Sequence, residues 1–71
     1  MKYDYGYLKA CIIAVCRDFE VFAAVMGMST ETLNNKLNST EGWTQKEIDH
    51  ALTVLNIPET ETQAVFFKIA A

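Results

Sequence analysis

Positive charge is what this sequence has little of: six lysines and arginines stand against nine aspartates and glutamates, a net charge of −3. Such a chain does not coat itself indiscriminately with nucleic acid or anionic membrane, because sequence-independent affinity comes mainly from neutralising phosphates. It leaves room for site-specific reading of DNA, where a few placed contacts and a dimer suffice. Cysteine is scarce as well. Cys11 and Cys16, five positions apart, point roughly 140° apart on a helix, so they cannot pair and are read as small buried residues of a reduced protein. With one histidine, His50, no metal-ligand spacing exists, and neither a metal nor another cofactor is expected. Long apolar runs are missing too. The stretch "MKYDYGYLKACIIAVCRDF" is broken by Arg17 and Asp18, is too short to span a bilayer and lacks a signal-cleavage pattern. No membrane association is expected, and the cytoplasm is the expected location.

Catalytic signatures are equally thin. Ser29 and Ser39 have no histidine nearby in sequence, no glycine-rich phosphate loop is present, and the carboxylates scatter over helix surfaces. Seventy-one residues make one domain near the lower limit for a single hydrophobic core, with no room for a deep substrate pocket beside it. A binding protein is expected, not an enzyme acting on a small molecule.

What is present is helical periodicity. Proline and glycine punctuate five segments, predicted as helices at about 4–17, 19–26, 29–38, 44–55 and 59–69, and no window alternates like a strand. In the first, Leu8, Cys11, Ile12 and Val15 follow the i, i+3, i+4, i+7 rule, with Tyr5 or Tyr7 covering the core. Gly27 can end the second in a left-handed turn, and Ser29 is a good cap for the third. Thr44 and Glu47 form a capping box for the fourth, whose inner stripe is Ile48, Ala51, Leu52 and Leu55, with Asn56 as its stop. His50 is read as a half-exposed residue beside that stripe. Trp43 suits a hydrophobic staple against Ile48, or else marks a contact surface. Pro58, Glu59 and Glu61 suit the first turn of the fifth helix.

The second and third segments, "FAAVMGMSTETLNNKLN", have helix-turn-helix spacing. Ala23 is the small residue where two helices cross, Gly27 follows in the turn, and Leu33 faces inward beyond it. Phe22, Met26, Met28 and Leu37 supply the remaining apolar anchors.

With "YDYGYLKACI", "GWTQKEIDHALTVLNIP" and "AVFF" in the same order, the chain resembles the Cro/repressor-like helix-turn-helix proteins. More narrowly, it resembles a family of small phage and prophage regulators of Gram-positive bacteria. The resemblance implies an all-α, five-helix, lambda-repressor-like domain with the motif as helices two and three. It implies transcriptional control by operator binding, with base contacts from Thr30, Glu31, Asn34 and Asn35 and with Asn38 nearer a phosphate. An asparagine can bond N6 and N7 of adenine, Glu31 can accept from cytosine N4, and the Thr30 methyl can meet that of thymine. Lys36, Lys46 and Lys9 are the candidate phosphate partners, together with the capped helix start at Thr44. The expected partner is duplex DNA, bound as a homodimer, with Phe66, Phe67 and Ile69 offering apolar surface for dimerisation.

The chain departs from the superfamily pattern in two ways. Phe19, between Asp18 and Glu20, stands where glutamine commonly clamps a phosphate, and cations are few around the third helix. These departures favour a rival: a helix-turn-helix turned to protein binding, its acidic face and an exposed Phe19 docked on a repressor.

Overall fold

Side-chain caps open the three middle helices of the computed structural model, which describes residues 3–69. Five α-helices follow one another: α1 (Gly6–Cys16), α2 (Phe19–Met26), α3 (Thr30–Leu37), α4 (Gln45–Val54) and α5 (Thr62–Phe66), the last preceded by a 3₁₀ turn at Glu59–Glu61. No strand is present among the described residues; a single antiparallel bridge joins Tyr3 to Ile69. The domain is all-α.

The side chain of Ser29 accepts the Thr32 N–H at 3.1 Å, capping α3. Thr44 and Glu47 exchange hydrogen bonds as a capping box on α4. Asp18 caps α2 by accepting the Glu20 N–H at 2.8 Å.

Three helix ends share one geometry, in which a left-handed residue lets two successive N–H groups reach back to carbonyls of the last turn. Gly27, at φ 75°, ends α2, with Met28 N–H bonded to the Ala23 carbonyl. Ser39, at φ 64°, ends α3, and Asn56, at φ 55°, ends α4. An added Cβ at Gly27 would meet nothing within 4 Å, so only the backbone resists a side chain there. Gly27→Ala is therefore expected to cost about 1–2 kcal/mol. Gly42→Ala, equally open but without a positive φ, should change stability by less than about 0.5 kcal/mol. Urea midpoints of the two variants check the difference.

Helix α2 lies at the centre, packed on α1, α3 and α4, while α5 closes against α1. Phe22, Phe66, Leu8, Ile12, Leu33 and Val65 are the largest fully buried side chains. Ala23 is buried between helices as its size requires, and Leu37, Ile48, Ala51, Leu52 and Leu55 complete the core, with Met26 and Met28 packed on its edge.

Several expectations need correction. Helix α1 starts at Gly6, because the Asp4 carboxylate accepts the Gly6 N–H at 2.8 Å and holds residue 4 outside the helix. It buries Leu8 and Ile12, with Cys11 and Cys16 half-buried beside them, whereas Val15 is 51 % exposed. The last helix does not run over 59–69. It opens as a 3₁₀ turn behind Pro58 and stops at Phe66, since the chain beyond turns back to the N-terminal segment, where the Asp4 N–H bonds the Lys68 carbonyl. Of the adjacent phenylalanines only Phe67 is exposed. Phe66 is core, edge-on to Trp43 at 5.2 Å between ring centroids, and is not a docking surface.

Candidate nucleic-acid interface

The outer side of α3 is built from its cap outward. With the Thr32 N–H taken by Ser29, the N–H groups of Thr30 and Glu31 are the donors that a first helical turn leaves over. Thr30, Glu31, Asn34 and Asn38 are exposed, whereas Leu33, Lys36 and Leu37 are buried against the rest of the domain. One face thus presents hydroxyl, carboxylate and amide groups, and the other locks the helix down. Asn35, expected on the reading face, is half-buried at its edge; its carbonyl accepts from the N–H and hydroxyl of Thr40 and shapes the turn after α3. Asn34 is the better placed of the two amides.

Lys36 is the main correction. It is not a surface cation awaiting a phosphate: only 6 % of the residue is exposed. Its ammonium donates to the Gly42 carbonyl at 2.9 Å and to Glu47 Oε1 at 3.0 Å. Glu41 lies 3.8 Å away, and the Trp43 ring centroid 5.7 Å. Lys36 follows Leu33 by three positions and precedes Leu37, so its stem shares their inward face. The partner was also visible in sequence, because the acid of a capping box is fixed at a helix start.

Glu47 joins the two motifs, since Oε1 also accepts the Thr44 N–H at 2.8 Å. Burial opposes ionisation of Glu47, but the Thr44 N–H, the Lys36 ammonium and the Thr44 hydroxyl outweigh it and hold the carboxyl below its usual range. A carboxylate with a depressed folded pKa contributes stability above the ordinary glutamate value of 4.5, and this is lost as pH falls through that value towards the folded one. Urea unfolding from pH 7 to pH 3 should therefore show a steeper acid loss for the wild type than for Glu47→Gln.

Beside α3, the start of α4 offers Lys46, exposed, and Thr44, exposed but with its hydroxyl committed to the Glu47 N–H. The N–H groups of Gln45 and Lys46 remain outstanding there. Lys9 is exposed on α1. Phe19 is half-buried and packed against the core instead of standing exposed, and Asp18 beside it is occupied as a cap. That role was legible from an aspartate before the apolar run "FEVF". Trp43, half-buried against the core, lines one cleft of about 270 Å³ with Ile48, Tyr5 and Phe66. His50 is exposed.

Burial pushes the Cys11 thiol up, which disfavours its thiolate, and both cysteines are free. Among the described residues, no helix is long and apolar enough to cross a membrane.

A family model described as "Protein of unknown function (DUF739)" matches residues 1–69. The chain belongs to the DUF739 family. No curated protein shows a significant match. The DUF739 match takes in every helix described above, from α1 to α5, and the bridge at Ile69.

Proposed function

We propose that this domain reads duplex DNA sequence-specifically, laying α3 in the major groove as a transcriptional regulator of the Cro/repressor type. One observation carries the reading. A tightly capped helix, held on α2 by Leu33 and Leu37 across the Gly27 turn, presents Thr30, Glu31, Asn34 and Asn38 outward with nothing apolar among them. In this reading Asn34 bonds an adenine edge, Glu31 accepts from a cytosine and Thr30 meets a thymine methyl. Lys46 and the open N–H groups at the start of α4 take a phosphate. Lys9 is the second phosphate cation.

The burial of Lys36 changes the electrostatics. With Lys46 and Lys9 as the phosphate cations, a dimer neutralises four phosphates, for a salt slope of about −3.6. Lys36 would raise the count to six and the slope to about −5.4. Asn34→Ala is expected to cost about 1–3 kcal/mol on a selected duplex, confined to one base position and with the salt slope unchanged. Titration of wild type and variant against single-base variants of that duplex, at several salt concentrations, tests it. An affinity identical to wild type at every position would remove Asn34 from the interface.

A second reading is favoured by the surface of α2. Val21 and Val25, one turn apart, are 49 % and 48 % exposed, in a chain of net charge −3. Such a face suits a modulator docked on a basic repressor. Val25→Asp separates the two: it abolishes a protein complex and leaves DNA affinity intact. Phe19 takes no part in this second surface, because it packs against the core.

A further inference from the structure

The Lys36 ammonium bridges the end of one helix and the start of the next. From the last turn of α3 it holds the carbonyl of Gly42, in the connecting loop, and the carboxylate that closes the cap of α4. The same Glu47 oxygen receives both Lys36 and the Thr44 N–H, so the cap of α4 and the end of α3 share one atom. A second set of bonds fastens the loop at its other end, from Thr40 and Glu41 N–H to the Asn35 carbonyl. Trp43 packs under the ammonium and anchors the loop on Phe66.

We infer that Lys36 is a positioning residue that fixes the spacing between the base-reading face of α3 and the phosphate anchor at the start of α4. The inference rests on the DNA-reading function proposed above and adds to it a role for a lysine that touches no DNA. Base readout requires each side chain to meet its edge within a fraction of an ångström, and a phosphate grip on α4 sets where α3 sits in the groove. A link that allows the two helix ends to slide spoils readout but leaves the phosphate contacts free to form. Specific and non-specific affinity then part company.

Three proteins test this: Lys36→Met, which keeps the apolar stem; Glu47→Gln, which keeps an acceptor for the Thr44 N–H and removes the charge; and Lys46→Ala. Each is titrated against a duplex selected by the wild type and against a random duplex, over a range of salt, with thermal unfolding confirming the folded fraction. Lys36→Met and Glu47→Gln are both expected to lose roughly ten- to hundredfold on the selected duplex, the worth of one base contact. On the random duplex they should match the wild type, with the salt slope retained. Lys46→Ala should weaken both duplexes alike and reduce the slope by about 1.8 for a dimer. A reduced slope in Lys36→Met would make Lys36 a phosphate contact and overturn the inference. So would an unchanged ratio of specific to random affinity in folded Glu47→Gln, which would leave the pair a purely structural role. A wild type that selects no duplex fails earlier, overturning the DNA reading and this inference with it.

Discussion

Phe66→Ala is expected to remove about 3–5 kcal/mol of stability, while its neighbour Phe67→Ala removes about 1 kcal/mol or less. Phe66 is 1 % exposed and meets the Trp43 ring edge-on; Phe67 is 39 % exposed, with its ring T-shaped to Tyr3 at 5.8 Å between centroids. A domain of this length has about 4–10 kcal/mol to lose, so Phe66→Ala leaves it barely folded. Helix α5 has five residues, too few to persist without tertiary packing, and Val65 and Phe66 are its buried residues. Losing the ring should therefore release the whole C-terminal segment from α1. Chemical denaturation of the two variants, with the near-ultraviolet signal of Trp43 as local probe, checks both the magnitudes and the site of opening.

Leu33→Ala should cost about 2–5 kcal/mol. Leu33 is fully buried at the contact of α3 with α2. The cavity forms beneath the exposed polar face, so the cost reaches function as well as stability. Leu33→Met, which conserves volume, should cost less than about 1.5 kcal/mol and keep whatever α3 binds. If Leu33→Ala instead left the urea midpoint in place, the inward register of α3 would be wrong.

Features that depend on a few neighbouring residues were legible in the sequence. Ser29, the Thr44–Glu47 box and the Gly27 and Asn56 stops are each a local bargain between a side chain or a φ angle and the orphan groups at a helix end, and all four stand where expected. Ser39 and Arg17, left-handed at φ 64° and 71°, carry no glycine that would mark a helix stop in the sequence. The end of α5 departs from expectation for a different reason. Apolar residues continue to Ile69, but the chain leaves the helix because residues 3–4 bond residues 68–69, a pairing between the two ends of the chain that no local window contains.

The candidate site divides in the same way. Periodicity sorts Leu33 and Leu37 from Glu31, Asn34 and Asn38 but also places Asn35 outward, where the structure half-buries it; Thr30 rests on the family resemblance. By residue type Lys36 reads as a cation near the third helix, although it stands in the sequence between two leucines that face inward, and its own side chain is buried with them. Residue type suggested a phosphate; the helical position and the acid of the capping box placed it in an internal ion pair. Val15 makes the converse case. It fits the apolar spacing of α1 and is 51 % exposed.

The most direct measurement is selection of bound sequences from a random duplex pool at about 50 mM salt, repeated at about 200 mM. The account predicts enrichment of a palindromic site with half-sites one helical turn apart, weakening at the higher salt with a slope near −3.6. A folded protein that enriches nothing at either salt would contradict it, and would make the face of Val21 and Val25 the place to look for a protein partner.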